Sequence, residues 1–538
     1  MGRVVEVVLD IPVSVADEGL GQREREGDTP TPDRLGAALI QGLDALPQIE
    51  RVATGGGRIE TCCFDHAQAM SDAGWYVSIE DSAEQRRFVA SRIEAYSPGV
   101  RLRETAYDTS LATAELTDAA LDDAPSALKQ ALAKAGDIEP VARLVTSRTR
   151  WHWPADSDVC IDVALDCVEG LPAATRLYEL HVSAPWPDQD DAARRSVLDA
   201  LFAAARDLVG TLPAFPVPAS AAERACRGEA VRDAEAVRAM PIDLGGARTP
   251  HEALIAIGRN IAQHWFGNEA GVRDLADPES VHQMRVAQRR LKTALKIFPH
   301  WLDETWSTRV APDLTWLGGL LGEARDRDVF TDSTLPALAA ADAATTANTA
   351  AADPERWDGT RERASAQRLE ARTRAQEALR SRRYAQLSLA WIGWLAALTL
   401  HGPPAGIKEP TLREYARMRV RKHYRRVSAA PELTTLDDAA RHRERIETKR
   451  LRYTLEFFAP LVSRRTRTGV AKTVSRIQTV LGEGNDVVVA ARYLEQLDLT
   501  PYQQGFTQGW SAATRRYTAE EAERLLRKLR KPKIRGPR

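Results

Sequence analysis

Two stretches of this chain, 160 residues apart, carry nearly the same helical pattern, and that constrains the fold more than any other feature. His282 to Phe298 reads HQMRVAQRRLKTALKIF; His442 to Phe458 reads HRERIETKRLRYTLEFF. On a helix advancing 100° per residue, His282, Arg285, Arg289, Lys292 and Lys296 fall within an arc of about 80°. Met284, Ala287, Leu291, Ala294, Leu295 and Phe298 take the opposite side. A cationic face without an acid differs from an ordinary solvated face, where charge signs alternate. The offset carries His282 to His442, Arg285 to Arg445, Arg289 to Lys449, Arg290 to Arg450, Lys292 to Arg452 and Phe298 to Phe458. It also aligns Leu321-Gly322-Glu323 with Leu481-Gly482-Glu483, and Asp326 with Asp486. A constant offset across separated blocks implies duplication of one unit, too long to be a solenoid repeat. The second copy is imperfect: Glu444 and Glu447 fall on the apolar side and Glu456 replaces Lys296, so the first ladder is the stronger anion site.

The doubled pattern H-x-x-R-x-x-x-[RK]-R-L-[KR], followed by L-G-x-x-[RN]-D, resembles the CHAD family, the conserved-histidine α-helical domain. The likeness covers residues 251–515, with halves at about 251–335 and 405–515. It implies an all-α domain of two pseudo-symmetric helical bundles around a basic surface, and binding of inorganic polyphosphate.

A chain of 538 residues predicts two or three domains. Its net charge of -1 hides an asymmetry. Residues 1–250 hold 25 basic and 41 acidic residues, a balance of −16; residues 251–538 hold 49 and 34, a balance of +15. A basic half calls for a polyanion partner. Cys62, Cys63, Cys160, Cys167 and Cys226 show neither metal-ligand spacing nor a disulfide framework, and MGRVVEVVLD is too polar for a signal peptide. The chain therefore reads as cytoplasmic, with an expected association with polyphosphate granules. Tyr384 to Leu400 is uncharged but barely long enough for a membrane span; a buried bundle helix around Trp391 and Trp394 is the better reading.

The acidic half reads as an antiparallel β domain with a few helices. Strands are expected at 3–11, 57–64, 75–79, 86–92, 100–105, 141–154, 159–165 and 176–184, and helices at 35–46, 126–135 and 190–208, with a loop over 17–34. This order, with CCFDHAQAMSDAGWYV early and CIDVALD…LYELHV later, resembles the CYTH family of triphosphate tunnel enzymes, often fused to CHAD domains. The resemblance implies a tunnel-like β domain over residues 1–215. Where the family has E-x-E-x-K, this chain has Glu6, Val8 and Asp10; its R-x-R becomes Ser78 and Glu80, and its E-x-E-x-E becomes Glu179, His181 and Ser183. These positions alternate toward one face of a strand. A hard cation needs several oxygen ligands, and Val8 offers none. The tunnel is thus expected to be acidic or neutral and catalytically degenerate. Pro213, Pro216 and Pro218 introduce a linker over 216–250, the Ala/Thr-rich run 336–353 joins the CHAD halves, and 516–538 forms a basic tail.

The expected fold is therefore α+β multidomain, and the expected function is non-enzymatic polyphosphate binding, without catalytic residues, metal or cofactor. Candidate binding residues are His282, Arg285, Arg289, Arg290, Lys292 and Lys296 of the first copy, and His442, Arg445, Lys449, Arg450 and Arg452 of the second. Arg413, Arg417 and Arg421, recurring at i, i+4 and i+8, form a third cationic track. Arginine brings bidentate hydrogen bonds to phosphate, lysine a point charge. Each histidine either caps its helix or makes a core hydrogen bond, or donates an N–H to phosphate; Asp326, Asp328 and Asp486 would cap or pair with the arginines and orient them. Two other readings compete: a metal-dependent triphosphatase using Glu6, Asp10, Asp166 and Glu179, and a scaffold for nucleic acid or another polyanion. The tail lacks interleaved aromatic residues, which argues against single-stranded nucleic acid.

Overall fold

The computed structural model describes residues 2–13, 32–113, 118–154, 159–170, 176–227, 235–347, 353, 355–400, 402 and 410–535. The loop expected over 17–34 lies almost wholly outside them, as does the later part of the Ala/Thr-rich connector. The chain divides into two compact units: Met1–Ala234 with Thr305–Asp313 and Arg380–Gly402, and Glu235–Glu304 with Leu314–Leu379 and Pro403–Arg538.

The first unit is built on strands β1 (Val4–Ile11), β2 (Glu50–Asp65), β3 (Trp75–Ser82), β4 (Arg86–Ser97), β5 (Val100–Ser110), β6 (Glu139–Pro154), β7 (Cys160–Glu169), β8 (Leu177–Pro185) and β9 (Phe215–Val217). Their order is β5-β4-β3-β2-β6-β7-β8-β1-β9, and β1 also pairs with β5, so eight antiparallel strands close into a barrel. Closure runs through Val4–Arg103 and Glu6–Arg101 on one side of β1 and Val8–His181 on the other. Full closure removes the unpaired edges that an open sheet would expose. Helices α1 (Pro32–Asp44), α2 (Ala69–Asp72), α3 (Ser126–Ala135), α4 (Asp191–Thr211) and α5 (Ala221–Cys226) complete the connections. Asp65 fixes the entry to α2, its carboxylate accepting the backbone N–H groups of His66, Met70 and Ser71 at 2.7, 2.9 and 3.1 Å. The stretch read as a linker opens inside this unit, since β9 pairs with β1.

Helix α12 (Arg382–Leu400) also belongs to the first unit. Trp391 and Trp394 are buried, as the reading of a buried helix requires, but the helix packs on the barrel unit's α4 rather than in a bundle of basic helices. Gly393 lies against the Phe202 ring, where an added Cβ would come within 3.3 Å. The Trp394 ring centroid stands 4.8 Å from that of Trp306, and Gln386 donates to the Arg206 carbonyl at 2.8 Å. The β4–β5 turn meets the same helix: Gly99 has a φ of +74°, and its Cβ would strike Ile392 at 2.9 Å. No described helix is long and apolar enough to cross a membrane.

The second unit comprises α6 (Pro250–Phe266), α7 (Glu269–Leu275), α8 (Pro278–Ile297), most of α9 (Ala311–Val329), α10 (Leu335–Thr346), α11 (Asp358–Leu379), α13 (Leu412–Ser428), α14 (Asp438–Phe457), α15 (Ala471–Leu494) and α16 (Pro501–Arg527). The bounds of α8 and α14 differ by the same 160 residues that relate the two sequence copies. So do the π-helical turns Trp306–Val310 and Thr466–Val470 and the starts of α9 and α15 that follow them. Even the caps repeat: Asp277 accepts the Ser280 N–H and Asp437 the Ala440 N–H, each at 2.7 Å. An aspartate there satisfies an otherwise orphan donor and complements the helix dipole. Helix α16 runs on through the start of the basic tail to Arg527, and the Arg535 N–H reaches back to the Leu461 carbonyl at 2.9 Å.

Overpacking the α4–α12 contact tests its role in the barrel unit. Gly393→Leu is expected to lower that unit's unfolding free energy by about 1–3 kcal/mol, measured by denaturant titration of barrel tryptophan fluorescence.

Candidate anion-binding site

Helices α8 and α14 turn their cationic faces into one cavity of about 890 Å³, walled also by α9, α15 and α16. The lining keeps the repeat's symmetry: His282 with His442, Arg285 with Arg445, Arg289 with Lys449, Arg325 with Asn485 and Asp326 with Asp486. The apolar sides of the two helices do what the sequence predicts. Met284, Ala287, Leu291 and Ala294 are buried on α8, and Leu451, Leu455 and Phe458 on or beside α14.

Helix spacing sets the cations on that face; small residues on the facing helices let them lie flat. The guanidinium of Arg285 crosses α9 at Gly322, where a Cβ would come within 2.9 Å of Cζ, and donates to the Gly318 carbonyl at 2.8 Å. This is the physical meaning of glycine in the Leu-Gly-Glu motif. Its counterpart Gly482 has no such neighbour, so the two arginines are seated differently.

The electrostatics of the cavity are unbalanced. Among the described residues, Arg285, Arg289, Arg445 and Lys449 make no ion pair within 4.0 Å. The Nε atoms of Arg289 and Arg445 are buried without a hydrogen-bond partner. Burial, reinforced by Arg445, Arg289, Arg285 and Arg452, drives the Lys449 ammonium down to about 7. Burial also pushes the carboxyls of Asp326 and Asp486 up, against the pull of Arg285 and Arg445 respectively. An unpaired buried charge is costly, so this crowd of cations is organised for an anion from outside the chain.

The histidines are more constrained than their sequence context implies. His442 Nδ1 stands 2.8 Å from Asn485 Oδ1, so it carries the proton there. Its Nε2 is then an acceptor in the neutral ring, and donates to phosphate only as imidazolium. Burial, then Arg325, lower the His282 imidazole from its ordinary value. Neither residue is an N-cap; Asp277 and Asp437 hold those positions.

Other predicted residues fall outside the cavity. Arg290 is wholly buried behind α8, donating to Glu456 at 2.8 Å and to Asn260 at 2.7 Å. Arg450 pairs with Glu447, and Arg452 donates to Gln478 at 2.7 Å. Lys292 is half-buried and Lys296 exposed farther along α8; neither lines the cavity. On α13, Arg417 and Arg421 are exposed and Arg413 half-exposed, so the third track does not join the first two. Asp328 is buried against Arg372 at 2.6 Å, so of the three aspartates only Asp326 and Asp486 reach the cavity. Sequence reasoning missed Arg325, Arg441 and Arg492, which line it. Arg325 stands directly before the recognised Asp326; the other two carried no repeat signal.

The barrel interior adds cations that the sequence reading did not place there. It holds Glu6, Glu80, Asp166, Glu179 and His181, but also Arg101, Arg103 and Arg148. An R-x-R pair thus enters from β5, where the sequence shows only a strand, and most of the interior's charges are paired within the chain. Glu6 meets Arg101 at 3.2 Å, Arg103 at 3.6 Å and His181 at 2.9 Å. Burial would raise the Glu6 carboxyl, but Arg103, Arg101 and His181 outweigh it and hold it well below the usual carboxylate range. Asp166 pairs with Arg148 at 2.6 Å. Helix α5 closes the set: the Ala221 N–H donates to Glu179 at 2.8 Å, Arg224 lies 3.4 Å from it, and Glu223 pairs with Arg101. Asp10 is not part of the interior lining, and Val8 is buried. Glu6, Asp166 and Glu179 are each engaged by a guanidinium or imidazole group, so a metal at these carboxylates would have to displace those partners.

The buried pair behind α8 separates stability from binding. Arg290→Ala, which removes a buried guanidinium and its hydrogen bonds to Glu456 and Asn260 while Arg452 stays 3.4 Å from Glu456, is expected to cost about 1–3 kcal/mol of helical-unit stability in a denaturant titration.

The family model described as the CHAD domain matches residues 256–495. A solved CHAD domain from the plant Ricinus communis is similar at 29% identity, covering 56% of this chain and 99% of that one, with a TM-score of 0.44. PptA from Streptomyces chartreusis is similar at 21% identity, over 53% of this chain and 99% of its own, with a TM-score of 0.40. An adenylyl cyclase-type protein from Hippeastrum, HpAC1, described as having a dominant triphosphatase activity, is similar at 12% identity, over 42% and 97%, with a TM-score of 0.27. No curated protein matches the chain.

Proposed function

Taking as premise that residues 256–495 form a CHAD domain, we propose that this chain binds inorganic polyphosphate in the cavity framed by the two copies of its repeat, without acting on it. The observation that carries the reading is the set of four cations, Arg285, Arg289, Arg445 and Lys449, facing one cavity with no ion-pair partner among the described residues. Polyphosphate is a flexible chain of linked charged phosphates with no bases to read. Such a ligand needs cations fixed on rigid elements, because phosphate contacts are chiefly electrostatic. Two facing helices supply them from both sides, so that one phosphate group meets donors of each copy. Among the described residues the lining contains no Phe, Tyr or Trp, which favours a bare phosphate chain over single-stranded nucleic acid. Association with polyphosphate granules would follow from the same affinity.

Full-length protein is expected to retain long-chain polyphosphate at moderate salt, with log affinity falling against log salt at a slope of roughly −3 as phosphate charges are neutralised. The double reversal Arg285→Glu, Arg445→Glu is expected to abolish retention, whereas Arg417→Glu on α13 leaves it nearly unchanged. Full retention by the double reversal would place the site elsewhere. Phosphate release with magnesium or manganese would replace the binding reading by an enzymatic one.

Lys449 makes binding pH-dependent. In the free domain its ammonium titrates at about 7, and an adjacent phosphate raises that value, so binding takes up a proton as pH climbs above 7. Affinity is expected to fall by roughly tenfold per pH unit above that point at the steepest. Lys449→Arg, which keeps its charge, should flatten the profile. The sign for the unliganded domain is opposite: the unfolded chain binds more protons between about 7 and the ordinary lysine value, so stability rises with pH across that window.

A further inference from the structure

The tunnel-facing side of the barrel carries a further donor cluster. On β6, alternation from Thr146 and Arg148, which line the interior, puts the exposed His152 on that side, while Trp151 and Trp153 are buried on the other. On β7, alternation from Asp166 puts Cys160 and Asp162 on the same side, while Ile161 and Val163 are fully buried on the other. Register brings them together: His152 pairs with Asp162, and Cys160 stands opposite Pro154, two places along the same face. One ligand atom from each of His152, Cys160 and Asp162 lies within 4.8 Å of the others. His152 Nδ1 lies 2.7 Å from Asp162 Oδ1. Across the other neighbouring strand, the exposed Glu50 of β2 pairs with His152 and adds a carboxylate to that face.

We propose that His152, Cys160 and Asp162 bind a divalent metal ion of the zinc class, with solvent completing its coordination. The donors choose the ion. A thiolate, an imidazole and a carboxylate together suit a borderline-soft cation that accepts tetrahedral geometry. Magnesium and calcium take oxygen ligands almost exclusively, and this cluster would leave them poorly coordinated. The scaffold supports the assignment, because two adjacent hydrogen-bonded strands fix the three positions without a loop having to order itself. Coordination would replace the His152–Asp162 contact by a bond from each residue to one ion, and deprotonate the Cys160 thiol. The Arg150 guanidinium, 3.8 Å from Asp162, is the nearby cation against which the ion competes. The bound ion would staple β6 to β7.

Cobalt(II) titration of the full chain under reducing conditions tests this directly. The expected result is one ion per chain with a near-ultraviolet thiolate-to-cobalt absorption, displaced by zinc. Cys160→Ser should remove the absorption, and His152→Asn or Asp162→Asn should weaken zinc binding by roughly tenfold or more. His152 and Cys160 are exposed and Asp162 is partly so, and unchanged circular dichroism will confirm that the variants fold. The proposal is overturned if the absorption persists in Cys160→Ser, which would put the metal on Cys62, Cys63, Cys167 or Cys226. It is equally overturned if cobalt binds without sulfur or if the three variants hold zinc as tightly as the parent, the signature of an adventitious ion.

Discussion

Repulsion among like charges is the constraint around which the helical unit is arranged. Cations spaced at i and i+4 on one face already destabilise a helix by a few tenths of a kcal/mol per pair. Here two such faces confront each other across a cavity, and burial weakens the solvent screening that would relieve them. The unit therefore needs stabilisation from elsewhere. The opposite faces of α8 and α14 supply it through Met284, Leu291, Leu451, Leu455 and Phe458, all buried. The matching aspartate caps at Asp277 and Asp437 add their share at each helix start. Behind α8, Arg290 shows the same residue type handled in the ordinary way, its guanidinium met by Glu456 and Asn260. Arg285, Arg289 and Arg445 differ from Arg290 in making no ion pair among the described residues, and the functional proposal rests on that difference.

The two units solve the problem of buried charge in opposite ways. In the barrel, Glu6, Asp166 and Glu179 are each met by a cation, and α5 contributes Glu223 to Arg101 and its own N-terminal N–H to Glu179. That interior is neutralised by its own chain. In the cavity of the helical unit, Asp326 and Asp486 make no ion pair within 4.0 Å among the described residues; burial raises their carboxyls, as it does that of Glu179 in the barrel, but Glu179 is met by Arg224. A closed charge balance favours a structural interior; an open one favours a ligand. This contrast is why the functional proposal rests on the helices and not on the barrel.

Much of this was legible in the sequence because it depends on period. A 160-residue offset found the paired helices, and helical spacing separated the cationic face from the buried one. Strand alternation located the barrel strands, with β1 and β3 to β8 falling where β-branched and aromatic runs are bounded by turn residues. What escaped was what depends on which element meets which. Arg290 and Arg450 carry the same motif letters as the cavity residues, yet one is buried against Glu456 and the other pairs with Glu447. Arg101 and Arg103 alternate on β5 as a strand demands, but their entry into the barrel follows from closure between β1 and β5, a contact between distant segments. Helix α12 reads as buried from its tryptophans, while contacts such as Gly393 against Phe202 and Gln386 with Arg206 assign it to the barrel unit. Arg441 and Arg492 have no counterpart in the repeat and so left no trace in it.

The imperfection of the repeat is itself informative. Position 289 is arginine and its equivalent, 449, is lysine. Arginine stays protonated in any protein environment, whereas lysine can shed its charge when burial and neighbours demand it. In a cavity where Arg285, Arg289 and Arg445 are fixed charges, Lys449 is the one member of the four that relieves repulsion by losing a proton, and it is driven down to about 7. The free domain thus escapes part of its own strain beyond what Asp326 and Asp486 offset. On the proposed function, an entering phosphate would return the proton and restore the full positive charge where the anion lies. An arginine at 449 would hold the charge permanently and raise the cost of the empty state; an acid paired with it would lower that cost and compete with the ligand. Lysine is the residue that satisfies both demands.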